Sequence, residues 1–308
     1  MTGIGIAVGV ATCGRPEGLA RCLRALGEQT EPPAEVIVVD QAPTDEARSA
    51  VAACGLHGAR YLEQDRLGLS ASRNMALVSA GSEVLAVTDD DCAPDPGWTR
   101  AIASAFAREP APDAVTGPVL TLGEQPDGTF AISMRSSETP VDHSGRLIPW
   151  AVGTGGNFAA RTATLRDAGG WDERLGTGSP GRAAEDAELF ERLLAAGAVI
   201  RYEPGAVVRH EWQTRERRLS TRWSYGYGVG ALCGLALARR DPYALRMLGA
   251  YTRLQLRPLA RGVVRRDRML AEGHVRALAS LAPGVAYGIR AARRPRAISA
   301  AGLALDSR

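Results

Sequence analysis

The chain has 308 residues, of which 45% are hydrophobic, 23% charged and 5% aromatic, a balance expected of a soluble globular protein of one or two domains. So few aromatic residues argue against a stacking surface for single-stranded nucleic acid. The net charge of +3 hides a split: residues 1–214 hold 18 Arg against 29 acidic residues, whereas residues 215–308 hold 19 Arg against 5.

"IGIAVGVA" (4–11) is a short β-branched run ending in Gly and Pro, and "PEGLARCLRALGEQ" (16–29) places Leu19, Cys22, Leu23 and Leu26 on one helical face, with Pro16 suited to the first turn. "EVIVVD" (35–40) reads as a strand buried on both faces of a parallel sheet. "TDEARSAVAACG" (44–55) reads as a helix stopped by Gly55, and "ARYLEQ" as a weaker strand. Ser70 is expected to cap a helix over 71–80, before the buried strand "EVLAVT" (83–88). This βαβαβαβ order predicts an α/β sheet with right-handed crossovers and a ligand cleft beyond the carboxyl ends of its strands. Thr12, Asp40 and Asp89–Asp91 all fall at that edge.

Residues 120–150 read as a polar, irregular loop. "GTGGNFAARTATL" (153–165) is either a flexible turn or a close backbone approach to a ligand, and its glycines alone do not choose. "AAEDAELFERLLAAG" (183–197) is a strong helix with Leu189, Phe190, Leu193 and Leu194 as its buried stripe and Glu185 and Asp186 in its first turn. "AVIRYEPGAVVRHEW" (198–212) returns as strand, turn and a short strand bearing His210. The remainder is helical by composition, punctuated by Pro242, Pro258, Pro283 and Pro295.

All 37 basic residues are arginine, which reads as compositional bias of a GC-rich genome. Five scattered cysteines without a CxxC pair fit free thiols in a reducing compartment. No leader is visible at the start of the sequence, and the longest apolar run, Tyr225–Ala238, carries four glycines and is short for a membrane span. These features give the expectation of a cytoplasmic protein. The basic tail adds an anionic membrane surface as an expected partner, with peripheral attachment at the inner face of the plasma membrane.

The acidic triplet in "VTDDDCAPDPGW" (87–98) needs a neutralising partner, because each carboxylate raises the cost of ionising its neighbours. In an extended loop Asp89 and Asp91 face one way and Asp90 the other. A "DDD" at a strand end followed 95 residues later by an "ED" at a helix start resembles family 2 glycosyltransferases of the GT-A fold, inverting enzymes that use nucleotide sugars. The resemblance spans about residues 4–212 and rests also on "VATCGRPEGLARCLRALGEQT", "EVIVVDQAP", "GLSASRNMAL", "GTGGNFAAR", "GGWDERL" and "VVRHEW".

What the resemblance implies is a GT-A (Rossmann-like) α/β catalytic domain over 1–214 and a basic helical C-terminal region over 215–308. It implies transfer of a sugar from a nucleotide-diphosphate donor to a hydroxyl acceptor, in cell-surface glycan or secondary-metabolite assembly. Asp186 matches the catalytic base, with Glu185 beside it on donor or acceptor hydroxyls. Asp89 falls on the ribose side and Asp91 on the metal, Mn²⁺ or Mg²⁺, with His210 as a further metal ligand. Asp90, Gly156 and Asn157 complete the expected donor-binding set. Thr12 and Asp40 match the nucleobase pocket, where Gln41 stands in place of a frequent second acid, and Arg73 and Asn74 match positions lining the cleft. "WSYGYGVGAL" (223–232) resembles a segment of bacterial members that act near membranes. The competing readings are a metal-dependent nucleotidyltransferase using Gly14 and Arg15, and a nucleic-acid-binding protein acting through the basic tail. No nucleic-acid partner is expected, because that reading leaves the acidic half unexplained.

Overall fold

The computed structural model describes residues 3–132 and 134–294. Strands β1 (Ile6–Thr12), β2 (Glu35–Asp40), β3 (Ala59–Glu63) and β4 (Val84–Asp89) alternate with helices α1 (Pro16–Gly27), α2 (Asp45–Ala53) and α3 (Leu69–Ser79). All the strand pairings among these four are parallel, and Thr12, Asp40 and Asp89 end neighbouring strands as expected. Alternation explains the burial. Val8, Val10, Val36 and Val38 face the layer of α1 and α2, while Ala7, Ile37 and Val39 face that of α3, so each central strand is apolar throughout. Thr44 caps α2 by accepting from Ala47 N at 3.1 Å. Ser70 does not cap α3: the helix begins at Leu69 behind Gly68, and Ser70 Oγ donates instead to the Leu175 carbonyl at 2.8 Å.

Past β4 the chain makes β5 (Cys92–Pro94), α4 (Trp98–Phe106) and β6 (Ala114–Thr116), then β7 (Val119–Thr121), β8 (Thr129–Phe130) and β9 (Val141–His143). The stretch expected to be irregular thus contains short edge strands. β10 (Asn157–Arg161) follows, and the main sheet has eight strands in the order β3-β2-β1-β4-β10-β6, continued by β11 (Ile200–Tyr202) and β9. β10 runs antiparallel to β4 and β6, so the sheet is mixed beyond its first half. Helices α5 (Thr162–Asp167) and α6 (Glu185–Ala195) precede β11, and α6 buries Leu189, Phe190, Leu193 and Leu194 as its periodicity predicts. β12 (Val208–His210) lies between β5 and β7 in a small second sheet, and β13 (Gln213–Thr214) pairs with β8.

The C-terminal region is helical: α7 (Arg215–Ala238), α8 (Tyr243–Val264), α9 (Arg268–Ala279) and α10 (Leu281–Ala291). Pro242 caps α8, Pro258 lies within it, and Pro283 falls in the first turn of α10, whereas Pro295 is outside the described residues. The segment 223–232 is the centre of α7, not a free surface helix. Gly226 lies against α9, and Gly230 and Gly234 against Gly284 and Gly288 of α10, where any Cβ would run into the facing backbone. No helix among the described residues is long and apolar enough to cross a membrane.

Candidate active site

Beyond the carboxyl ends of β1 and β4 two cavities of about 660 Å³ each adjoin. They share Leu69, Asp89, Ile132, Thr177, His210 and Tyr225. Thr12, Gln41 and Asp91 line the first lobe, and Arg73, Gly156, Glu185 and Asp186 the second. The "DDD" corner and the "ED" helix therefore open into one cleft, with Asp89 and His210 at the junction.

Alternation along the triplet holds: Asp89 and Asp91 face the cleft, and Asp90 turns inward. Asp90 is fully buried, accepting from Thr12 Oγ1 at 2.7 Å and from Arg15 Nε at 3.1 Å. Burial pushes its carboxyl up to about 6 against the pull of Arg15 and Thr12. Arg15 also donates to Asp91 Oδ2 at 2.6 Å, and Arg217 of α7 donates to the same oxygen at 2.6 Å. Burial alone would raise Asp91, but His210, Arg15 and Arg217 together hold it down at about 2. Arg73 supplies the remaining countercharge. Its guanidinium is buried and reaches Asp89 Oδ1 at 3.0 Å, Glu185 Oε1 at 3.0 Å and the Gly155 carbonyl at 3.1 Å.

The other acidic pair reaches the cleft through strained backbone. Arg182 and Ala184 both have a φ of 69°, a left-handed conformation unusual for residues with a Cβ, and Ala184 is the residue immediately before α6. Asp186 Oδ2 accepts from Gly155 N at 2.8 Å, which ties the helix start to the glycine loop. Gly155 gives room there: a Cβ would lie 2.7 Å from Arg73 Nη1 and 3.0 Å from Asp186 Cβ, so any larger residue would push on both side chains. The loop makes its close approach to Arg73 and Asp186. Glu185 is buried; desolvation and the neighbouring Asp186 raise its pKa, and Arg73 opposes them.

Several expected contacts are internal ones. Asp40 is buried, accepting from Ala42 N at 2.9 Å and from the Tyr61 hydroxyl at 2.8 Å, and it does not line either lobe. Asn74 bonds both the N–H and the carbonyl of Trp171, at 2.8 and 2.9 Å. Asn157 accepts from Trp98 Nε1 at 2.8 Å and donates to the Pro118 and Ala206 carbonyls at 2.8 and 2.7 Å. Asn74 and Asn157 hold the walls, and neither lines the cleft. Gln41 accepts from Gly68 N at 2.7 Å through Oε1, leaving its Nε2 to donate.

His210 Nδ1 lies 2.7 Å from the Glu211 carbonyl, which can only accept, so this nitrogen carries the proton. Nε2 faces Asp91 Oδ1 at 3.3 Å. Among the described residues Asp91, Cys92 and His210 form a cluster whose ligand atoms lie within 4.8 Å of one another. Burial and the neighbouring acids raise the Cys92 thiol well above its ordinary value, so it stays protonated and is a poor ligand. One carboxylate oxygen and one imidazole remain; the oxygen suits either Mn²⁺ or Mg²⁺, and the imidazole suits Mn²⁺. Arg217 and Tyr225, both on α7, escape a motif-based reading of the cleft; the one sequence signal for Arg217 is the excess of arginine after residue 214.

A model of the family described as "Glycosyl transferase family 2" matches residues 7–167. The chain belongs to glycosyl transferase family 2. It is 31% identical over 186 residues to a pre-mycofactocin glycosyltransferase of Mycobacterium tuberculosis, found in strains CDC 1551 / Oshkosh and H37Rv. That alignment takes in 58% of this chain and 37% of the relative, so the chain spans little more than a third of the curated relatives it matches. Solved structures agree on the fold. S. aureus TarS 1-349 superposes with a TM-score of 0.55 at 16% identity, covering 93% of this chain and 92% of that one. The mannosyltransferase PcManGT from Pyrobaculum calidifontis, in complex with GDP-Man and Mn²⁺, gives a TM-score of 0.55 at 17% identity over 96% and 88% of the two chains. The expected GT-A architecture with a helical C-terminal region is therefore borne out for this family 2 chain.

Proposed function

We propose that this family 2 protein is an inverting glycosyltransferase that moves a sugar from a nucleoside-diphosphate donor to a hydroxyl acceptor with the help of Mn²⁺ or Mg²⁺. The observation that carries the reading is the single cleft joining the Asp89–Asp91 corner to Asp186. The nucleotide is assigned to the first lobe, where Thr12 ends β1, Gln41 directly follows β2 and the Gln41 amide can donate to a base carbonyl. Among the fold neighbours TarS has been solved with UDP and PcManGT with GDP-Man, so both kinds of base are candidates. Asp91 and His210 would hold the cation, which when bound neutralises the leaving diphosphate. Asp186 takes the proton from the acceptor hydroxyl as its oxygen attacks the anomeric carbon from the face opposite the diphosphate. Arg73 keeps Asp89 and Glu185 in place beside it.

The test is an incubation with nucleotide sugars, Mn²⁺ and hydroxyl acceptors. Release of nucleoside diphosphate with an inverted anomeric centre is the expected result, whereas pyrophosphate release from a nucleoside triphosphate and a sugar phosphate would replace it with nucleotidyl transfer. Residues 1–214 are proposed as the catalytic domain and residues 215–308 as a C-terminal region whose described helices complete the cleft wall. Attachment to an anionic membrane is assigned to α8, which leaves Leu245, Leu256, Val263 and Val264 exposed by 64, 48, 65 and 83% beside exposed Arg246, Arg253, Arg257 and Arg261. Flotation with anionic liposomes that is lost on replacing those arginines by glutamate supports it, and absence of flotation for the intact protein removes it.

A further inference from the structure

The second lobe has a floor that the proposed donor and cation positions leave unassigned. Its walls are largely apolar, with Trp150 set edge-on to Tyr251 at 5.6 Å between ring centroids and Val229, Leu254 and Pro258 beside them. In that setting stand Arg222 of α7, Gln255 of α8 and His274 of α9. Gln255 and His274 are 2% and 5% exposed. His274 Nδ1 lies 2.7 Å from Gln255 Oε1, which makes the ring nitrogen the donor and leaves the amide Nε2 without an acceptor among the described residues. Arg222 is half-buried, its stem beside Gly273, and it has no carboxylate within ion-pair distance among the described residues. The other arginines lining the two lobes have partners: Arg15 and Arg217 bond Asp91, Arg73 bonds Asp89 and Glu185, Arg135 bonds backbone carbonyls, and Arg182 lies over the Tyr227 ring. A half-buried cation and an oriented amide that line the same cavity, neither with an acceptor among the described residues, are set to receive an anionic group.

We propose that Arg222 and the Gln255 amide, oriented by His274, form an acceptor subsite for a hydroxyl-bearing molecule with an apolar, ring-sized body and one anionic group, a carboxylate or a phosphate. The inference rests on the glycosyl-transfer reading, since it makes the lobe containing Asp186 the acceptor side. Trp150 and Tyr251 supply area for the body, and a cavity of this size, about 660 Å³, suits a small molecule. The anionic group is held by charge-assisted hydrogen bonds from Arg222 and the Gln255 amide.

The experiment measures binding of matched pairs of hydroxyaryl carboxylic acids and their methyl esters to the full chain with nucleoside diphosphate and Mn²⁺ present, with a hydroxyaryl phosphate and inorganic phosphate as further probes. The acids should bind at least about tenfold more tightly than the esters, as loss of one charge-assisted contact predicts. Arg222→Gln and Gln255→Leu should erase that preference, the acid losing at least about tenfold more affinity than its ester in each variant. Tighter binding of the aryl phosphate than of the aryl acid assigns the group to phosphate, and the reverse to carboxylate. Equal binding of acid and ester, binding of neither, or a preference that survives Arg222→Gln overturns the proposal. Inorganic phosphate competing as well as the aryl anions would show that the apolar body is not recognised, and overturns it too. Release of nucleoside diphosphate from the donor in water is followed in parallel. Donor turnover with no preference for acids rejects the subsite alone, whereas no donor binding or turnover rejects the transferase reading beneath it.

Discussion

Removing Arg73 gives the sharpest test of how the acidic corner is held. Arg73→Met keeps the length and apolar stem but strips the guanidinium from Asp89 and Glu185, each bonded at 3.0 Å. The Glu185 side chain is 10% exposed and cannot recruit much water. Breaking a buried pair by removing one partner typically costs about 3–5 kcal/mol, so the variant should lose about that much stability at pH 8. Glu185 also fixes the pH dependence. Burial and Asp186 already raise its pKa with Arg73 in place, and without Arg73 it rises further. A carboxyl whose folded pKa lies above its unfolded one favours the folded chain at low pH and loses that contribution as pH rises through the folded value. The gap between wild type and variant should therefore shrink as pH falls from 8 towards 5. Urea unfolding followed by tryptophan fluorescence across that range measures it. A pH-independent gap, or one below about 1 kcal/mol, would refute the role given to Arg73.

Other outcomes follow from the same geometry. Asp186→Asn should lower transfer by about 10²–10⁴-fold while nucleoside diphosphate still binds by calorimetry; weakened binding in step with activity would move Asp186 to a donor role. Asp91→Ala, His210→Ala and chelation should each abolish Mn²⁺-dependent tightening of nucleoside diphosphate binding, and unchanged Mn²⁺ titrations in both variants would remove the assigned ligands. Gly284→Ala should destabilise by about 1–3 kcal/mol, because its new Cβ meets the Tyr227 carbonyl, and an unchanged melting point would contradict that contact. Burial, with Arg222 and Arg218 adding to it, holds His274 at about 4 against an ordinary 6.5, so between those values the unfolded chain binds more protons and stability falls on acidification. His274→Phe should flatten that slope between pH 6.5 and 4, and an unaltered slope would count against it.

The first half of the fold is legible in the sequence because each strand there is apolar on both faces and each helix carries a clear stripe. Leu19, Cys22, Leu23 and Leu26 of α1 and Leu189, Phe190, Leu193 and Leu194 of α6 all lie where their spacing puts them. β10 is not legible, since its "NFAAR" is short, mixed in character and follows glycines that read as a turn. The cleft was readable at its acids and much less so at its cations. A strand end positions Asp89–Asp91 by local pattern, but of the two arginines that meet Asp91 one, Arg217, comes from α7, more than a hundred residues further along the chain. Asn74 and Asn157 carry the opposite lesson: polar residues near a sheet edge complete backbone hydrogen bonds as readily as they meet a ligand, and residue type alone does not separate the two.

The glycine seam between α7 and α10 has a mechanical consequence. Gly226 rests on the backbone of α9, and Gly230, Gly234, Gly284 and Gly288 bring two helices into main-chain contact, so that at these positions no side chain is available to change rotamer and absorb a shift. α7 is therefore clamped along its C-terminal half, while its first turns, which carry Arg217, extend beyond the clamp to the acidic corner. A side chain introduced into that seam would therefore displace α7, and with it the Arg217 guanidinium that meets Asp91.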